Sequence, residues 1–141
     1  MEKVVADASV IVKWFIEEEY SDKALLLRDK HVNGDVRIAV PTILSFEVLN
    51  ALKYSKLFNK GELTEISYSL ARYGFEIHNL RDKFAEKTVE ISIEKDITIY
   101  DASYVALAII LGTKLYTADK KLIEKTKDEY PNAVLHIKEI E

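Results

Sequence analysis

The sequence predicts an α/β protein, an open parallel sheet of about five strands with helices on both faces. Short runs of consecutive apolar residues, such as Val4-Val5-Ala6 and Ile38-Ala39-Val40, recur without the polar alternation of a sheet that faces water on one side. Segments of helical period separate them, which is the pattern of right-handed crossovers between parallel strands. Glycine punctuates the boundaries, at Asn33-Gly34, Gly74 and Gly112.

The elements follow in order. Residues 3–6 read as a buried strand, and residues 9–18 as a helix with Val10, Trp14 and Phe15 on one face. A second helix over residues 21–32 opens with Ser21 as N-cap and stops before Asn33-Gly34. Residues 36–40 form the second strand, and Pro41, in a first helical turn, begins a long helix to Leu57 with Ile43, Leu44, Val48, Leu49 and Leu52 as its stripe. Gly61 opens a helix to Tyr73, Gly74 turns the chain, residues 75–77 give a third strand, and residues 82–94 a further helix. Residues 96–99 fit either helix or strand. Residues 100–111 make a nearly all-apolar helix closed by Gly112, residues 114–116 the fourth strand, residues 120–129 a helix and residues 134–137 the last strand. No linker, repeat or low-complexity segment interrupts the series, so residues 1–141 are expected to be one domain, long enough to bury roughly 70% of its unfolded surface.

Composition excludes several functions. A chain that is 48% hydrophobic and 31% charged has enough apolar material to fold without staples. Absent cysteine rules out disulfides, thiolate metal sites and cysteine nucleophiles, and points to a reducing compartment. The longest apolar run, residues 105–111, is far below the roughly 18 residues of a membrane span, and no signal-peptide pattern opens the chain. A cytoplasmic protein with no membrane partner is expected. The net charge of -4 argues against broad adhesion to nucleic acid, so any RNA contact is local or metal-mediated. His31, His78 and His136 lack metal-ligand spacing, and the glycines form no phosphate-cradling loop.

Four acids stand among core-forming residues: Asp7 in Val-Val-Ala-Asp-Ala-Ser, Glu47 in Ser-Phe-Glu-Val-Leu-Asn, Asp101 in Ile-Tyr-Asp-Ala-Ser-Tyr and Asp119 in Leu-Tyr-Thr-Ala-Asp. Asp7 and Asp119 follow predicted strands, at the edge where open parallel sheets place their ligands, and those two strands are expected to be neighbours at a switch point. N-capping by itself accounts for an Asp at positions 7, 101 or 119. It does not account for Glu47, which lies inside a helix, although a surface Glu there is the plain alternative. Two carboxylates about 5 Å apart repel by roughly 3 kcal/mol at an effective dielectric near 20, so a convergent set needs protons or cations. An all-oxygen pocket suits Mg²⁺ or Mn²⁺, one ion or two, and metal-dependent phosphodiester hydrolysis is the chemistry it supports.

Ser9 and Thr117, two positions from Asp7 and Asp119, offer hydroxyls for a metal-bound water or a phosphate, or serve as turn residues. Asn50 shares the helix face of Glu47, where it either orients that acid, holds a phosphate or is merely solvated. Lys13, Lys120 and Lys121 are candidate RNA contacts, with a solvated charge face as the alternative.

In these positions the sequence resembles the PIN-domain ribonucleases, and among them the VapC-like toxins of toxin-antitoxin pairs. The carriers are Asp7-Ala8-Ser9, Glu47-Val48-Leu49-Asn50, Tyr100-Asp101-Ala102 and Thr117-Ala118-Asp119, an ordered set that spans almost the whole chain. The resemblance implies a parallel-sheet PIN-like fold, Mg²⁺ or Mn²⁺ at the carboxylates, endonucleolytic cleavage of RNA, homodimerisation and a cognate antitoxin. Lys120 and Lys121 follow Asp119 where some members carry another acid. Two rivals share parts of the pattern: a nuclease of RNA processing without an antitoxin, and a catalytically silent interaction module of the same fold. A phospho-accepting signalling domain would need an Asp after the third strand, where His78-Asn79 stands. A phosphatase with an Asp nucleophile would need a second Asp where Ser9 stands.

Overall fold

A computed structural model describes residues 1–141. Five parallel strands, β1 (Glu2–Ala6), β2 (Val36–Pro41), β3 (Glu76–His78), β4 (Leu115–Thr117) and β5 (Val134–His136), form one sheet in the order β3-β2-β1-β4-β5. The chain winds outward from β1 through β2 to β3, then returns to the other side of β1 for β4 and β5. β1 and β4 are therefore the neighbours at the point where the winding reverses, with Ala6 opposite Tyr116. In such sheets the crevice outside the carboxyl ends of these two strands is where ligands sit.

Seven helices pack around the sheet: α1 (Ala8–Ile11), α2 (Ser21–Val32), α3 (Leu44–Ser55), α4 (Lys60–Arg72), α5 (Asp82–Lys95), α6 (Ile99–Ile110) and α7 (Lys120–Thr126). Val4, Val5 and Ala6 of β1 and Ile38, Ala39 and Val40 of β2 are all buried. Consecutive strand residues point to opposite faces, so both faces of the sheet are covered. α6 lies against β1, β2 and β4 with α5 packed on its outer side, and for this reason every residue from Ala102 to Ala108 is buried. No helix is long and apolar enough to cross a membrane.

The boundaries depart from expectation in informative ways. The first helix ends at Ile11, continues only as a 3-10 turn over Val12–Trp14, and leaves residues 15–20 irregular. Tyr20, with φ 66, occupies the N-cap position of α2. Ser21 is the first helical residue, and its buried hydroxyl donates to the Ile16 carbonyl while accepting from the Glu18 amide, so it braces the loop instead of capping. Pro41 closes β2 opposite His78, and α3 begins three residues later. Proline fits there because it ends the strand, where a missing ladder donor costs little. Asn59 caps α4 through a capping box with Glu62, a signal that precedes the expected Gly61 start. Thr98 caps α6, so residues 96–99 belong to the approach and first turn of that helix.

Candidate active site

Asp7 and Asp119 project from the carboxyl ends of β1 and β4 for local reasons. Each has extended backbone and N-caps the helix that follows, Asp7 accepting from the Ser9 amide at 3.1 Å and Asp119 from the Lys121 and Leu122 amides at 2.9 and 3.2 Å. Asp101 does not cap. It lies in the first turn of α6, where its amide donates to the Thr98 hydroxyl at 3.0 Å. Glu47 is in the first turn of α3, half-buried, and accepts from the Tyr104 hydroxyl at 2.6 Å. Capping accounts for two of the four acids and leaves the other two unexplained.

Asp7 is the most enclosed, with 6% exposure. The Ser9 hydroxyl donates to its Oδ1 and the Thr117 hydroxyl to its Oδ2, each at 2.5 Å. Those hydroxyls are themselves acceptors: the Ala118 amide donates to Ser9 Oγ at 2.9 Å and the Asp119 amide to Thr117 Oγ1 at 3.0 Å. Two backbone amides of the β4–α7 turn thus reach Asp7 through two side-chain hydroxyls. The relay fixes the Asp7 carboxylate and ties the turn that carries Asp119 to the end of β1.

Asp101 is the charged neighbour that the other three acids share. Burial pushes the Asp7 carboxyl up to about 6; the Ser9 and Thr117 bonds oppose this, and Asp101 and Asp119 add repulsion. Burial also raises Asp101, with Asp119 reinforcing it. Glu47 is raised by burial and by Asp101 against the lowering effect of the Tyr104 bond. None of the four is in an ion pair, although the protein makes several elsewhere, such as Lys3 with Glu76 and Lys95 with Glu129.

No three acidic or histidine side chains stand close enough together, as placed, to ligate one ion. The donor chemistry nevertheless fits a hard divalent cation, because every donor is a carboxylate oxygen and none of the four is in an ion pair. Asp119 Oδ2 and Glu47 Oε2 carry no hydrogen bond and are free to ligate. Asp101 and Asp119 line a common cleft with Thr98, Lys121 and Lys125.

Other residues singled out in the sequence lie around this centre. Lys120 and Lys121 are exposed at the start of α7, and Lys121 borders the cleft of Asp101 and Asp119. Lys13 is largely buried, with its Nζ 3.2 Å from Glu18 Oε1. Asn50 is exposed and makes no bond to Glu47; it lines a groove between α3 and α4 with Phe46, Lys53 and Leu63. The bond that holds Glu47 comes from Tyr104, which sequence reasoning passed over. A signal was present, since a tyrosine one turn after Asp101 in an otherwise apolar helix needs a partner for its hydroxyl.

Comparison with known proteins agrees with this architecture. Ribonuclease VapC3 of Pyrobaculum aerophilum is 31% identical over 132 residues, covering 87% of this chain and 94% of the relative. Exonuclease VapC9 of the same organism is 27% identical over 99 residues, 70% of this chain and 74% of the relative. Among solved structures, a toxin-antitoxin complex from Klebsiella pneumoniae contains a chain that superposes with a TM-score of 0.66 at 20% identity, over 97% of this chain and 99% of that one. Residues 4–128 match the family model described as PIN domain, a span that holds all four acids and the carboxyl ends of the two strands from which Asp7 and Asp119 project, and the chain belongs to that family.

Proposed function

We propose that this protein is a divalent-cation-dependent endoribonuclease acting through Asp7, Glu47, Asp101 and Asp119, and that it is the toxin of a toxin-antitoxin pair. The observation that carries the reading is the set of neighbouring, unpaired carboxylates at the switch point of the sheet, three of them with raised proton affinity. The ribonuclease name of its 31%-identical relative supports the activity, and the toxin-antitoxin complex among its fold neighbours supports the biological setting.

Mg²⁺ or Mn²⁺ bound here supplies a Lewis acid for the phosphate and lowers the pKa of attacking water. The chain's own part is to hold the oxygens. Asp7 is locked by the Ser9 and Thr117 hydroxyls, Asp101 and Asp119 line the cleft, and Glu47, held on α3 by the Tyr104 hydroxyl, has Asp101 as its charged neighbour. Lys120 and Lys121, exposed beside Asp119, are placed to meet flanking phosphates, whereas Lys13 has to leave Glu18 to do so. The unpaired carboxylates repel a phosphate at the site until cations neutralise them.

The test is cleavage of linear and circular single-stranded RNA in Mg²⁺ or Mn²⁺, with and without excess chelator. Both substrates are expected to be cut, with a loss of at least about 100-fold in chelator. The fold is expected to persist there, because its core of 32 buried apolar residues does not involve the ion. Undiminished activity in chelator overturns the mechanism, and cutting confined to linear RNA replaces an endonuclease by an exonuclease.

The toxin reading brings a homodimer and an antitoxin as partners. On α3, α4 and the turn between them, Ile66 and Leu70 are buried and Phe58 partly so, while Phe46, Tyr54, Leu57 and Tyr68 are each more than half exposed. Such a cluster suits a self-complementary face or an apolar helix of a partner. Sedimentation at micromolar concentration is expected to give twice the 16.2 kDa chain mass; a clean monomer rules out the homodimer under those conditions.

A further inference from the structure

Between Ala102 and Ala108, α6 is enclosed on all sides, and its one large side chain with a polar tip is Tyr104, 1% exposed. A phenol at that depth needs an acceptor for its hydroxyl. The acceptor is Glu47 Oε1, on another helix and 57 positions earlier in the chain. Glu47 has three side-chain torsions and is repelled by Asp101, so without a restraint its carboxylate turns toward water. With Oε1 held by the phenol, Oε2 is left without a partner.

We infer that Tyr104 is a positioning residue, whose hydroxyl holds Glu47 so that its second carboxylate oxygen is presented to the cation bound with Asp101. The inference rests on the metal-dependent reading above. Tyr104 serves as a donor at neutral pH, where a phenol ordinarily keeps its proton. Sharing a face of α6 with Asp101 three positions earlier, it couples α3 to the helix that carries the neighbouring acid.

The experiment compares the wild type with Tyr104→Phe, Glu47→Gln and the double variant, reading Mn²⁺ affinity by calorimetry. Phenylalanine keeps the ring and its packing, and Glu47→Gln probes the same contact from its more exposed end. Tyr104→Phe is expected to bind Mn²⁺ about tenfold more weakly, as loss of an outer-shell partner does. The double variant is expected to bind no more weakly than Glu47→Gln, because the hydroxyl acts only through Glu47. In the metal-free protein the Glu47 carboxyl-carbon resonance is expected to move in Tyr104→Phe while that of Asp101 stays. Losses that multiply in the double variant, or a Phe variant that binds like wild type with an unmoved Glu47 resonance, overturn the positioning role alone. A wild type that binds no Mn²⁺ overturns the metal-dependent reading, and this inference with it.

Discussion

Asp101→Asn is expected to lower RNA cleavage by at least about 100-fold while leaving the metal-free fold as stable as before or slightly more so. The substitution removes a charge and almost no volume. Thr98, not Asp101, caps α6, and the position 101 amide keeps its bond to the Thr98 hydroxyl in the variant. The cap is therefore kept, and the helix loses only the modest benefit of a negative charge in its first turn. The charge removed is one that Asp7, Glu47 and Asp119 all face, so repulsion falls when no cation is present. Single-turnover cleavage paired with thermal unfolding measures both effects, and normal cleavage by the variant removes Asp101 from the site.

Asp7 gives the second large effect, and it is read as stability against pH. Its folded value of about 6 lies above the ordinary 3.8, so between these the folded chain holds a proton that the unfolded chain has released. Stability on this account is highest below pH 4, falls as pH rises through the window and is lowest above 6, by up to about 3 kcal/mol. Glu47 and Asp101 act with the same sign, whereas the lowered Glu76 and Glu129 act oppositely. Asp7→Asn removes the titrating charge together with the acceptor of the Thr117 hydroxyl, so the contribution is read from how the difference changes with pH. Without metal, the melting temperature of the variant minus that of the wild type is expected to rise by several degrees from pH 4 to pH 8. Added Mg²⁺ is expected to stabilise the wild type at pH 8 and progressively less below 6, where protons compete for the same oxygens. Scanning calorimetry across this range decides the matter: a difference that does not change with pH means that the Asp7 carboxylate is not under strain.

The alternation of strands and helices could be read from the sequence because both faces of the sheet are covered. Uninterrupted apolar runs such as Val4-Val5-Ala6 then mark strands, and the helical stripes between them mark crossovers. Two of the failures lie where bonds to other parts of the chain outvote local preference. Ser21 looks like a cap but spends its hydroxyl on the Ile16 carbonyl. Pro41 looks like a helix start but ends a strand whose partner is β3. For the acids, sequence separates Glu47 from the capping explanation, and the structure adds Asp101 to it by giving the cap to Thr98. The relay from the β4–α7 turn to Asp7 spans more than a hundred positions and leaves no local trace, since Ser9 and Thr117 are ordinary turn residues in isolation.

The strand order has a bearing on how the chain is made. β4 enters the sheet between β1 and β5, so a nascent chain that has emerged only as far as α6 holds β1 as an open edge. In that interval Asp7 has neither Thr117 to hold it nor Asp119 beside it, and the acids already emerged lack half of the β1–β4 crevice. Translation therefore leaves the proposed site incomplete until the last strands arrive, which on the nuclease reading keeps the unfinished chain inactive. The same delay leaves the edge of β1, Glu2 to Ala6, available for mispairing during synthesis, and slow elongation past α6 is the moment at which aggregation is most to be expected.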